Sequence, residues 1–305
     1  MASASDTRSG LTSRLYKPPP LIESLGMTTQ APLVVYLHGL NTYGDNLVRI
    51  GPVIFGTMSE HLQEGFEKRG MEFVAVEGMG WDAPEIQAQE ALAFLKSKGL
   101  TDRPVHLLGQ SVGGLVARAL AKIWPKENGV LSIVTFGTPH YGAHVAEHSL
   151  ELHLRAPTLY KTLKTFGYDA STRSKTFGHF TRASLEKFNA NTPTPAGVQC
   201  TSFVCSVPKD ELTLPYQLIH GKFHPTPTTE SDGFIFCESQ KWESYRGPYK
   251  LDHFAQMGFF LFLRKKNREA ARREFDRMLD DMAKMIQGVQ ANDLKREAFQ
   301  PKKNP

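Results

Sequence analysis

Leu107-Leu108-Gly109-Gln110-Ser111-Val112-Gly113-Gly114-Leu115-Val116-Ala117-Arg118 has the form G-x-S-x-G between two regular segments. Val105, Leu107 and Leu108 read as the end of a buried strand, and Leu115, Val116, Ala119 and Leu120 recur at helical spacing. A serine squeezed between strand and helix sits on a strained turn. The turn lifts its hydroxyl clear of the sheet, beside the positive end of the following helix. Gly109 and Gly113 leave room for it, because a side chain at either would collide with the neighbouring strand or helix. The same five-residue pattern also turns up by chance in ordinary strand-to-helix loops, so its reading depends on the flanks.

Working outward, Leu33-Val34-Val35-Tyr36-Leu37 is a continuous apolar run, as in a buried parallel strand. It stops at the polar, glycine-bearing loop His38 to Asn46. Residues 45–67 are expected to form a helix interrupted near Gly51-Pro52, and Phe73 to Val76 a second strand. Pro84 suits the first position of a helix that runs to about Lys98 and stops at Gly99, with Ile86, Ala88, Leu92 and Leu95 inward. Leu131 to Phe136 is a further strand, running into Gly137-Thr138-Pro139-His140-Tyr141-Gly142-Ala143. Strands alternating with helices imply a mostly parallel sheet covered on both faces. The polar loops after Leu37, Leu108 and Phe136 should then converge on one rim, where such sheets carry their sites.

Residues 144–198 break the rhythm. Their scattered apolar groups, among them Leu150, Leu159, Phe166, Phe177, Phe180 and Leu185, suggest a helical cap or lid over the rim, or a helical subdomain with its own core. The sheet resumes at Thr201 to Ser206. A Pro- and Thr-rich loop, roughly 208–231, leads to Ser231-Asp232-Gly233-Phe234-Ile235, and a further loop to Leu251-Asp252-His253-Phe254. The run from Phe254 to Leu263 is expected to be a helix on the sheet. From Arg264 a charged helix carries one apolar stripe: Ala271, Phe275, Met278, Leu279, Met282 and Ile286. The expected organisation is an arm over 1–30, a main domain over 31–263 with the cap at about 144–198, and a basic amphipathic helix and tail over 264–305.

Composition bounds the possibilities. The 305 residues are 40% hydrophobic, and no apolar run reaches the ~18–20 residues of a membrane span. Met1 to Pro20 lacks the apolar centre of a secretion signal, so the expected location is the cytoplasm. Cys200, Cys205 and Cys237 cannot all pair and show no metal spacing, which suits a reducing compartment. Residues 264–305 hold 12 Lys and Arg against 7 Asp and Glu, and this difference is the whole net charge of +5. Acids interspersed with those bases argue against a nucleic-acid arm. The tail helix reads in three ways: on a membrane surface, in a dimer through its stripe, or packed back on the body.

The chain resembles the α/β-hydrolases and, within that fold, the bacterial true lipases and their esterase relatives. Four stretches carry the likeness: Leu37-His38-Gly39-Leu40, Gly109 to Arg118, Phe136 to Ala143, and the pair Ser231-Asp232-Gly233 and Asp252-His253-Phe254. They cover about residues 31–263. The resemblance implies a nucleophile elbow at Ser111, an oxyanion loop at His38-Gly39-Leu40, an acid at Asp232 and a histidine at His253. It also implies that the backbone amides of Leu40 and Val112 donate to the oxyanion.

The chemistry can be argued independently. A serine hydroxyl is a poor nucleophile until a base takes its proton. An imidazole titrates near neutrality and suits that task, and a buried carboxylate must fix its tautomer. Ser111, Asp232 and His253 stand in the chain order this fold uses. His140 reads as a structural hydrogen-bonder; Asp252 adjoins His253 too closely to reach its ring nitrogen; Asp210, Glu211 and Glu238 are alternative acids.

Secreted relatives often hold calcium through an aspartate two residues beyond the histidine, where this chain has Ala255, so no such site is expected, although Asp210 could be a surviving ligand. His140, His144 and His148 stand at steps of four, but Gly142 disfavours a helix through all three. No metal and no cofactor are expected. Relatives also carry a disulfide near the acid, for which Cys237 could meet only Cys200 or Cys205. The expected function is hydrolysis of an apolar ester or lipid through an acyl-enzyme. A thioesterase or acyltransferase on the same triad is the alternative, and a non-catalytic lipid-binding scaffold the alternative of another class. No nucleic-acid partner is expected, and the sequence leaves the oligomeric state open.

Overall fold

The computed structural model describes residues 31–39, 47–50, 53–125, 129–147, 174–213, 216–217, 230–260 and 263–299. Six strands form one parallel sheet: β1 (Leu33–Leu37), β4 (Glu72–Ala75), β5 (Val105–Gln110), β6 (Val130–Phe136), β7 (Gln199–Cys205) and β8 (Ser244–Tyr249). Their order across the sheet is β4-β1-β5-β6-β7-β8. Helices α1 (Glu60–Glu67), α2 (Pro84–Ser97) and α3 (Val112–Lys122) connect the early strands.

The central strands are apolar on both sides because both faces are covered. Leu33, Val35 and Leu37 of β1 share one core with Leu107, Ile133, α2 and α3. Val34 and Tyr36 face the other core, with Leu108, Val134, Phe136, Leu62 and Phe66. Pairing of Leu37 with Gly109 and of Gln110 with Phe136 brings the carboxyl ends of β1, β5 and β6 into line. The loops that follow them therefore leave from one rim.

Of the segment expected to form a cap, the structure describes α4 (His144–Glu147), α5 (Ser174–Gly178) and α6 (Arg182–Asn191). Val145, Ala146, Phe177, Phe180, Leu185 and Phe188 join the α2–α3 core. The remaining apolar groups of that segment, at 148–173, lie outside the described residues. The last helices are the short α7 (Cys237–Gln240) and the long α8 (Lys265–Phe299). Every member of the α8 stripe is buried on the second face of the sheet. A fully buried Leu or Met side chain contributes about 1.5–3 kcal/mol, so this stripe is a main attachment of the helix. The dimer reading of the tail invokes that stripe, which the fold itself uses. No helix among the described residues is long and apolar enough to cross a membrane.

Four expectations about elements are corrected. Residues 45–67 are not an interrupted helix: β2 (Leu47–Ile50) and β3 (Val53–Thr57) pair antiparallel before α1 begins. Val48, Ile50, Val53, Ile54 and Phe55 are β-branched or aromatic, and Gly51-Pro52 disfavours a helix there. Ile86 does not face inward but is 44% exposed, because α2 turns Gln87, Ala88, Ala91 and Leu95 to the core. Strand β8 went unread; it is a sheet edge, exposed except at Tyr249, where Gly247-Pro248 is tolerated. The run after Phe254 is one 3-10 turn (Ala255–Met257) stopped by Gly258 at φ +84°, not a helix to Leu263.

Candidate active site

Strand β5 ends at Gln110 and α3 starts at Val112, so Ser111 must turn the chain alone. It does so at φ 54°, ψ −129°, a conformation that L-residues rarely hold. The strain is held by neighbours. Ser111 N donates to Phe136 O at 3.0 Å. A β-carbon on Gly113 would stand 2.0 Å from the Leu37 carbonyl oxygen, and one on Gly109 2.4 Å from Gly114 Cα. Both glycines are thus required by close approach. The Ser111 hydroxyl does not cap α3.

Asp232 is completely buried in a turn closed by the bridge between Ser231 and Phe236. Its Oδ1 accepts from Phe234 N at 2.9 Å and Ile235 N at 2.7 Å. Its Oδ2 accepts from His253 Nδ1 and from Gln256 Nε2, both at 2.8 Å. A second tie, His253 N to Asp232 O at 2.9 Å, holds the two segments together. A carboxylate only accepts, so the ring proton sits on Nδ1 and Nε2 carries the lone pair. That lone pair faces Gln110 Nε2 at 3.3 Å. No hydrogen bond joins Ser111 to His253 in this arrangement; the neighbour of Ser111 holds the imidazole instead. Phe234 lies 5.3 Å from the imidazole, centre to centre, and Tyr216 meets it edge-on at 6.3 Å.

The other expected residues fall as follows. His38 is buried, and its Nδ1 donates to Gly39 O at 2.7 Å. Gly39 lies beside Ser111, and Val112 opens α3. Leu40 lies outside the described residues. His140 is fully buried; its Nε2 donates to Thr135 Oγ1 at 3.0 Å and its Nδ1 accepts from Arg118 at 3.3 Å. Burial, aided by the Arg118 charge, holds its pKa well below the usual value, as befits a structural imidazole.

Asp252 accepts from Thr213 N and Ala255 N at 2.9 Å and from Phe254 N at 3.1 Å, and so braces the His253 segment. Burial pushes its carboxyl up to about 6 against those donors, and the Asp232 charge adds to the rise. Asp210 and Glu211 lie in a short 3-10 turn, and Glu238 pairs with Lys241 at the surface. None of these three meets the imidazole. Among the described residues no group of His, Cys, Asp and Glu could hold a metal ion. All three cysteines are buried and free, so none forms the disulfide considered for Cys237.

Two residues at this site were not singled out from sequence: Gln256 on the acid and Gln110 on the histidine. Gln110 sat inside the quoted motif, but its position there is a variable one. Gln256 follows His253 by three residues with no pattern to mark it.

A parallel sheet in this order, with a strained serine after β5 and a buried Asp–His pair at the same rim, has the α/β-hydrolase arrangement. The chain belongs to the palmitoyl protein thioesterase family, whose sequence model matches residues 34–187. Triacylglycerol lipase 2 of Saccharomyces cerevisiae is 28% identical over 176 residues, 56% of this chain and 51% of that protein. A triacylglycerol lipase of Pseudarthrobacter phenanthrenivorans is 28% identical over 132 residues, 41% of this chain and 38% of that one. The chain thus spans about half the length of these curated relatives, or less. Among solved structures, a Staphylococcus hyicus lipase aligns with a TM-score of 0.59 at 14% identity, over 86% of this chain and 96% of that one. A metagenomic carboxyl esterase aligns at 0.56 and 15%, over 85% and 78%. At such identities these structures speak to the fold.

Proposed function

We propose that this protein hydrolyses apolar acyl esters, with Ser111 as nucleophile, His253 as general base and acid, and Asp232 as the carboxylate that orients it. The observation that carries the reading is the buried Asp232–His253 pair, which leaves the ring's accepting nitrogen one residue away from the serine on the strained turn. Ser111 Oγ attacks the acyl carbon as His253 Nε2 takes its proton. The oxygen that turns negative is met by the amide of Val112, at the start of α3. His253 then gives its proton to the departing group, and an acyl-enzyme remains. Water, activated by the same imidazole, releases the acid.

The departing group can be an alcohol or a thiol, because both leave through the same steps. The lipase names of the relatives favour an ester. The match to a thioesterase family favours a thioester as the second reading. The aromatic groups beside His253 suit an apolar substrate in either case. A chain-length series of p-nitrophenyl esters, run beside acyl thioesters of the same acids, tests this. Cleavage of medium or long chains, absent in Ser111→Ala, is expected. Activity confined to acetate and butyrate would defeat the lipase reading and leave a small-ester esterase. Cleavage of the thioesters alone would favour the second reading.

A further inference from the structure

We propose that Gln110 is a further residue of the reaction centre. Its carboxamide caps the proton-accepting nitrogen of His253 and has to turn away before Ser111 can pass its proton on. The inference rests on the Ser111–His253–Asp232 reading and adds a residue to it.

Asp232 fixes the proton on Nδ1, so Nε2 presents a lone pair. Only the nitrogen end of a carboxamide faces a lone pair favourably, and Gln110 Nε2 stands there at 3.3 Å. The same lone pair is the one Ser111 needs. While it accepts from Gln110, the base is occupied.

The other end of the amide is informative too. Gln110 Oε1 is buried and has no hydrogen-bond partner among the described residues. It lies against Gly39: a β-carbon there would stand 2.4 Å from Gln110 Oε1 and 2.8 Å from Ser111 Cβ. The amide therefore reaches from the imidazole to the start of the proposed oxyanion loop, beside Ser111. An acyl carbonyl has to enter that space. A buried carbonyl without a partner disfavours the capped arrangement and makes it displaceable.

The charge state of the ring completes the argument. Once Nε2 gains a proton, an amide N–H facing it becomes repulsive, whereas the amide turned over offers Oε1 as an acceptor. Gln110 thus has two discrete settings, matched to the neutral and the charged imidazole. The titratable groups around the ring are Asp232 at Nδ1, Tyr216 edge-on at 6.3 Å, and Asp252 next in the chain, which is directed at the amides of Thr213, Phe254 and Ala255. Among the described residues Gln110 is the group on Nε2.

The test is the rate of fluorophosphonate labelling against pH for wild type, Gln110→Ala and the volume-matched Gln110→Met, with Ser111→Ala as the blank. Both variants should label roughly 2–10-fold faster above the acid limb, because the base is no longer capped. Their acid limb should move to higher pH, because a donor that favoured the neutral ring is gone. Variants that label no faster, with an unmoved limb, would overturn the inference and leave the triad reading standing. A folded wild type that never labels would overturn both. Ring nitrogen-15 signals of His253 in the wild type give a check that needs no variant. A neutral ring with a hydrogen-bonded Nε2 is expected, and an unengaged Nε2 would overturn the cap.

Discussion

The serine and the histidine reach the same rim by different means. Ser111 is placed by backbone: two parallel strands in register, a helix that starts at once, and glycines where a β-carbon would stand 2.0 Å from the Leu37 carbonyl oxygen at Gly113, or 2.4 Å from Gly114 Cα at Gly109. His253 is placed by side chains. Asp232 takes four donors, Asp252 three, and neither segment is a regular strand or helix at the point of contact. One half of the site is therefore sensitive to shape and the other to hydrogen bonding. Substitutions on the first half should cost stability, and those on the second should cost rate.

The largest effect should come from Asp232→Asn. The amide can no longer fix the proton on Nδ1 while accepting from Phe234 and Ile235, so a drop of ~10⁴-fold in kcat is expected. Circular dichroism should show a fold close to wild type. Unfolding of this variant, rather than slow turnover, would erase the contrast between the halves.

Gly113→Ala should behave in the opposite way. Its added methyl meets the backbone of β1, which cannot yield as a flexible side chain would, and a loss of about 3 kcal/mol is expected in denaturant melts. A variant of normal stability but low activity would contradict the assignment of the serine half to backbone packing.

A pH-dependent effect should come from Asp252, whose folded pKa of about 6 lies above its ordinary 3.8. A raised pKa means that the folded state favours the protonated form. Its contribution is full below about 3.8 and is lost as pH rises through about 6. The wild type should therefore lose up to about 3 kcal/mol from this group between pH 4 and 7. In Asp252→Asn that part of the slope should vanish, as read from denaturation midpoints at several pH values. An equal slope in both proteins would contradict this assignment; His106, whose pKa burial lowers to about 4, acts in the opposite direction, its contribution to stability rising with pH over the same range.

The same contrast explains what the sequence could convey. The strand before Ser111, the helix after it and the two spacing glycines are local, and a periodicity or a steric need exposes each. Chain order alone did not single out Asp232, since seven acids lie between β7 and the last helix; the resemblance pointed to Asp232 and His253, and the structure joins those two by a hydrogen bond. Gln256 and Gln110 were opaque: a glutamine has no periodic signature, and only the folded chain shows which end of its amide meets what. Strand β8 was hidden for a similar reason. As an exposed edge it lacks the apolar run that marked β1 and β6. The β2–β3 hairpin was misread because a short apolar run can serve either period until its pairing is seen.

The most direct measurement is to locate the adduct left by a fluorophosphonate on the folded protein, by mass spectrometry of its peptides. One adduct on Ser111 is expected, absent from both Ser111→Ala and His253→Ala. An adduct on another residue, or one that persists when Ser111 is replaced, would contradict the account.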